Sequence, residues 1–123
     1  MSEGAVRMGV VGVGSLGQWH ARIYSELPGV ELVGVYDLNA ARAEEIARRY
    51  RTRAVSDMAD LAARVDAASI VVPADKHYEA AQPFLDRGVH LLVEKPIAAN
   101  TADAEAMAAA AERKQLVLQV GHV

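Results

Sequence analysis

Residues 8–20, MGVVGVGSLGQWH, run from an apolar segment into three glycines and then into a stretch with helical period. Gly12, Gly14 and Gly17 fit G-x-G-x-x-G, a spacing that lets a backbone approach a pyrophosphate. Such glycine turns are common, so the flanks decide the meaning. Val6–Val11 reads as a strand and Ser15–Leu27 as a helix, and the glycines straddle their junction. In that setting Gly12 allows the tight turn, Gly14 removes a Cβ that would block the pyrophosphate, and Gly17 lets the helix pack closely on the strand. N–H groups near Ser15 and Leu16, with the positive end of the helix dipole, would hold the phosphate charge.

The second apolar run, Val30–Tyr36, leads directly into Asp37, twenty residues after Gly17. A carboxylate there can accept hydrogen bonds from both hydroxyls of an adenosine ribose, and it repels a 2′-phosphate. The expected cofactor is therefore NAD, with Leu38 beside Asp37 in the cofactor-binding set. NADP stays possible because Arg42 can either swing to a 2′-phosphate or lie along its helix as an exposed arginine. An FAD enzyme more often carries Glu at the position of Asp37. A SAM-dependent methyltransferase usually lacks the third glycine.

Further β-branched runs occur at 68–72, 89–93 and 116–120, with a short additional strand expected around 53–55. Between them lie helical stretches at 39–50, 57–64, 75–87 and 101–114, the last (TADAEAMAAAAERK) rich in strong helix formers. Thr101 and Asp75 are N-cap candidates, Gly88 sits where a C-cap belongs, and Pro83 should kink or break its helix. In Ser15–Leu27 the apolar stripe is Leu16, Ile23 and Leu27, with His20 on it. Near-continuous apolar strands alternating with helices predict an α/β fold, a parallel sheet covered on both faces. Right-handed crossovers make it a doubly wound Rossmann sheet of strand order 3-2-1-4-5-6.

The 123 residues match one domain, and a net charge of −3 offers no footprint for nucleic acid or an anionic membrane. The densest basic patch, RRYRTR at 48–53, reads as a solvated helix end. No cysteine is present, which removes disulfides, zinc-thiolate sites and thiol nucleophiles. The opening MSEGAVRMGVV has neither a basic signal region nor an apolar span of membrane length. A cytoplasmic location is expected.

Three later stretches fall at strand ends, where the crevice of an open α/β sheet lies: VVPADKHYEAA, LLVEKPIA and LQVGHV. Lys95, between Glu94 and Pro96, would bring a cation there able to stabilise a polarised carbonyl or alkoxide beside a nicotinamide. GVGSLGQWH, VPADKHYEAA, VEKPIAAN and VGHV together resemble the glucose–fructose oxidoreductase/inositol dehydrogenase (Gfo/Idh/MocA) family across essentially the whole chain. The wording VP…HYEAA and VGHV looks most like the sugar-nucleotide 3-dehydrogenase branch. The resemblance implies an NAD(P)-dependent oxidoreductase acting on a hydroxyl or carbonyl of a sugar, cyclitol or sugar nucleotide.

Carried onto this sequence, the resemblance makes Lys95 the catalytic lysine of the EKP motif, touching substrate and nicotinamide. Glu94 and Pro96 shape its loop, while Val72, Pro73 and His77 line the nicotinamide end. Val72 and Ala74 depart from the family's commoner Thr-Pro-Asn, which leaves the polar contacts of that stretch open. His122 matches the Gly-His after the last strand and is a substrate-side candidate. From its position on the apolar stripe His20 reads as a satisfied core histidine, and His90 as structural. No histidine pair has metal-site spacing. The resemblance also implies a second α+β domain, absent from these residues, that supplies most substrate contacts, the proton acceptor and the sheet through which subunits associate. The chain is thus expected to bind cofactor without efficient turnover. A self-standing NAD(H)-binding sensor or regulatory module, or an enzyme half completed by a second polypeptide, are the other readings.

Overall fold

The computed structural model describes residues 4–94 and 100–121. Five strands, β1 (Val6–Val11), β2 (Val30–Tyr36), β3 (Ala67–Ile70), β4 (His90–Glu94) and β5 (Leu118–Gly121), form one sheet in the order β2-β1-β3-β4-β5. Every neighbouring pair is parallel. The expected strand around 53–55 is reduced to a single parallel bridge from Ala54 to Val35 on the outer side of β2. Counting that bridge as the third strand, the order is the 3-2-1-4-5-6 predicted from the crossovers. Two backbone hydrogen bonds, Val35 N–H to the Arg53 carbonyl and Val55 N–H to the Val35 carbonyl, both 2.9 Å, hold this edge, and the Leu61 and Val55 side chains pack over Gly34.

Helices α1 (Gly17–Glu26), α2 (Ala40–Arg49), α3 (Met58–Ala62), α4 (His77–Asp86) and α5 (Thr101–Arg113) join the strands, with a 3₁₀ turn at Ala74–Lys76 before α4. Successive side chains of a strand face opposite ways, and β1 shows both faces to be covered. Val10 packs with Ala21 of α1 and Ile46 and Ala47 of α2. Val11 packs on the other side with Leu61 of α3, Phe84 and Leu85 of α4, and Met107 of α5. Phe84 is fully buried, and its transfer from water alone is worth roughly 1.5–3 kcal/mol.

Several local expectations are corrected. Asn100 rather than Thr101 caps α5, its side chain accepting from the Asp103 N–H. Asp75 lies inside the 3₁₀ turn, and α4 starts after it without a side-chain cap. Helix α4 runs unbroken through Pro83; one lost backbone bond is outweighed by the burial of Ala80, Ala81, Phe84 and Leu85 around it. Gly88 does follow the end of α4 with φ +76°, the left-handed conformation of a C-terminal glycine. On α1 the expected apolar stripe is not the buried one: Ile23 and Leu27 are about half exposed, as is Trp19. Gly17 and Ala21 face the sheet instead, with Tyr24 partly buried against it, because a helix this close to a strand admits only small residues at the contact.

Arg7 and Asp66 join the start of β1 to the turn before β3. The guanidinium Nη2 lies 2.9 Å from Asp66 Oδ1, and the Arg7 backbone N–H donates to Oδ2 at 2.9 Å. The Arg7 side-chain bond, followed by its backbone N–H, holds the Asp66 carboxyl below the usual carboxylate range. A depressed folded-state pKa stabilises the fold above the unfolded value of about 3.9, and this contribution disappears as pH falls through the folded value. Both side chains are over a third exposed, so the effect is small. Melting curves of the wild type and Asp66→Asn should therefore differ at neutral pH and converge in acid. Parallel curves across that range would rule the ion pair out as the cause.

Candidate functional site

Parallel pairing places all strand ends on one edge. Val11 stands beside Tyr36 and Ile70, and Ile70 beside Val93. The glycine loop after β1, Asp37 after β2, Val72 and Pro73 after β3, and Glu94 at the end of β4 therefore share one edge of the sheet.

The three glycines have different structural reasons. Gly12 has φ +90°, and a Cβ there would collide with the Val71 carbonyl. A Cβ on Gly17 would collide with the Gly12 carbonyl. Gly14 faces open space, with nothing within 4 Å of a Cβ built on it. Two glycines thus close the turn onto its own backbone and one keeps its outer face clear. Among the described residues no side chain caps α1, and its first turn carries no acid, so no described group offsets the positive end of that helix. Ser15 is exposed and Leu16 half-buried beside it.

Asp37 is the other fixed point. Its Oδ2 accepts from the Val13 N–H and its Oδ1 from the Asn39 N–H, both at 2.9 Å. Each oxygen keeps a further lone pair for an outside donor. Arg42 Nε donates to the Val13 carbonyl at 2.8 Å, and its Nη1 lies 3.2 Å from Glu45 Oε1. The Val13 peptide is thus held from both sides, by an acid and a base that both follow β2. Arg42 is therefore a strut of the glycine loop. A 2′-phosphate would have to compete with both of these contacts.

A cavity of about 240 Å³ opens between Gly12, Gly14, Asp37, Leu38, Val72 and Pro73. A neighbouring one of about 290 Å³ shares Tyr36, Leu38, Val72 and Pro73 and extends to Met58 and Lys76. Leu38 is 87% exposed beside both. Apolar walls with a carboxylate and backbone amides at one end suit a flat base joined to a ribose. His77 is fully buried, and its Nε2 donates to the Val72 carbonyl at 2.7 Å. It fixes the segment after β3 and lines neither cavity. A larger cavity, about 580 Å³, lies between Arg7, Glu31, Arg51, Arg53 and Arg64, and its lining includes none of the glycine-loop residues.

Glu94 accepts a 3.0 Å hydrogen bond from His20 Nε2 on α1, and both side chains are under 15% exposed. This contact spans 74 residues of chain and was not legible from the spacing; the only signal was a histidine on the apolar stripe of the first helix. Lys95, Pro96 and His122 lie outside the described residues. His90 opens β4, and its Nδ1 accepts from the Val117 N–H at 2.9 Å, a structural link to the last strand. No described helix is long and apolar enough to cross a membrane.

Comparison with known proteins adds to this geometry. A family model described as an oxidoreductase family with an NAD-binding Rossmann fold (GFO_IDH_MocA) matches residues 6–122. UDP-N-acetylglucosamine 3-dehydrogenase of Acidithiobacillus ferrooxidans is 43% identical over 118 residues, covering 96% of this chain and 37% of that protein. Its crystal structure superposes with a TM-score of 0.91 over 95% of this chain and 38% of its own. The NADP(+)-dependent scyllo-inositol 2-dehydrogenase IolU of Bacillus subtilis is 33% identical over 116 residues, 92% of this chain and 35% of that protein. GenD2 of gentamicin A biosynthesis, solved in complex with NAD, is 30% identical, with a TM-score of 0.90 over 95% of this chain and 34% of that one. The chain therefore spans less than two-fifths of the length of these relatives.

Proposed function

This chain belongs to the Gfo/Idh/MocA oxidoreductase family, as its NAD-binding Rossmann domain, and on that premise we propose that it holds NAD for hydride transfer at a hydroxyl-bearing carbon of a sugar nucleotide. The observation that carries the cofactor assignment is Gly14, whose open outer face borders the same cavity as Asp37. The amides at the start of α1 receive the pyrophosphate, and Asp37 receives the ribose hydroxyls on its remaining lone pairs. Leu38, Val72 and Pro73 wall the adjoining space. Nicotinamide, when bound, supplies the hydride acceptor or donor. Lys95, next in the chain after Glu94 at the end of β4, is assigned the stabilisation of the carbonyl or alkoxide oxygen. His122 is assigned to the substrate side.

The sugar-nucleotide lean is supported by the 43% identity to a UDP-N-acetylglucosamine 3-dehydrogenase. Because the relatives are more than twice as long as this chain, we assign substrate closure, the proton acceptor and assembly into a homo-oligomer to residues beyond these. A cysteine-free composition suits a cytoplasmic setting. Titration calorimetry on the purified chain tests the proposal: NAD should bind more tightly than NADP, because Asp37 repels a 2′-phosphate and Arg42 is already engaged. Equal or reversed affinities would refute the assignment. The chain should also show no sugar oxidation at saturating NAD, and robust NADH production would overturn the division of labour.

A further inference from the structure

Between α1 and the sheet runs a chain of polar side chains that the cofactor site does not use. Tyr24 Oη and Ser69 Oγ are 2.6 Å apart, Ser69 Oγ and His20 Nδ1 are 3.0 Å apart, and His20 Nε2 is 3.0 Å from Glu94 Oε1. A carboxylate only accepts, so Nε2 carries hydrogen; with a single ring hydrogen, Nδ1 is left to accept from the Ser69 hydroxyl. Ser69 Oγ then accepts from Tyr24, whose hydroxyl pKa is raised chiefly by burial, keeping it protonated as a donor. Each atom from Tyr24 Oη through Ser69 Oγ and both ring nitrogens to Glu94 Oε1 has a partner. Ser69 is completely buried within β3, so serine, histidine and glutamate do not form a nucleophilic triad here. No substrate could reach that hydroxyl.

We propose that His20 is a positioning residue: it clamps the Glu94 carboxylate, and so fixes the end of β4 against the helix that starts at the glycine loop. His20 lies three residues after Gly17 on the helix that starts at the glycine loop, while Glu94 is the last residue of β4. The clamp therefore ties the helix proposed to receive the pyrophosphate to the end of β4 on the cofactor edge of the sheet. A charge-assisted bond this shielded from water is among the stronger ones available to a side chain. Ser69 and Tyr24 hold the ring in the one tautomer that can donate to Glu94. The inference deepens the reading of the chain as a nicotinamide-dependent oxidoreductase domain and rests on it for its functional consequence.

The test uses the full chain labelled with ¹⁵N-histidine. At neutral pH the His20 ring should show a protonated Nε2 and an unprotonated Nδ1. Glu94→Gln should move the Nε2 signal, and Tyr24→Phe, a mild variant that keeps the ring, should move Nδ1 through Ser69. Then NADH is titrated into His20→Gln, whose amide can still donate to Glu94, and into His20→Met, which cannot. Both should keep NADH affinity within about threefold of the wild type. His20→Gln should retain the fluorescence of bound nicotinamide, whereas His20→Met should lose most of it. A role in packing alone would leave the two variants alike. A protonated Nδ1, or Nε2 unmoved by Glu94→Gln, would overturn the clamp. So would equal fluorescence in His20→Met and the wild type. If the wild type binds no NADH, the cofactor reading fails instead, and the ring signals judge the clamp alone.

Discussion

Asp37→Ala should weaken NAD binding by about 1.5–3 kcal/mol, the range for hydrogen bonds to a charged group, which is about a 10- to 150-fold rise in Kd. The structure raises the stakes of this substitution. Asp37 would meet the ribose, and it also accepts the backbone N–H groups of Val13 and Asn39. Removing the carboxylate frees the Val13 N–H, leaving the loop held by Arg42 on the Val13 carbonyl and by the Gly12 N–H on the Tyr36 carbonyl. Asp37→Asn separates the two roles, since its amide oxygen can still accept from one N–H while the negative charge is gone. Asp37→Asn should recover part of the loop's stability but admit NADP more readily than the wild type does. Calorimetry giving Asp37→Ala an NAD affinity within twofold of the wild type would remove Asp37 from the site.

The glycines should divide into two classes under substitution by alanine. Gly12→Ala puts a side chain at φ +90° and drives its Cβ into the Val71 carbonyl. Gly17→Ala drives a Cβ into the Gly12 carbonyl. Backbone cannot yield as a flexible side chain can, so each should cost about 3 kcal/mol, at the upper end of ordinary point substitutions. Gly14→Ala meets nothing and has no left-handed φ. It should leave stability unchanged or raise it by about 0.4–1 kcal/mol through the unfolded chain. Its NAD affinity should nonetheless fall by about tenfold or more, equivalent to ~1.4 kcal/mol. Thermal melts and NAD titrations on the same three proteins read both effects. A Gly14→Ala variant that binds NAD like the wild type would show that the pyrophosphate passes elsewhere.

Much of this was legible before any coordinates because parallel strands buried on two faces must be continuous apolar runs. Val6–Val11 and Val30–Tyr36 keep their bounds in the fold, and the glycines and Asp37 fall at their ends. Local details were less secure where neighbours compete for one task. Asn100 and Thr101 are both good caps, and the helix start selects Asn100. The stripe on α1 misled for a different reason. Periodicity marks apolar residues, but a helix lying close on a strand buries its small ones, and Ile23 stays about half exposed while Ala21 is buried.

The sequence by itself determined the class of fold, the order of the strands and the kind of ligand, since each depends on local pattern and short spacing. Only the tertiary structure decided which atoms the site residues hold. Arg42 grips Val13, His77 grips Val72, and His20 grips Glu94. Most of these contacts join residues from different elements, and the longest spans 74 positions. Their partners are chosen by the packing of helices on the sheet, and no periodicity along the chain encodes that choice.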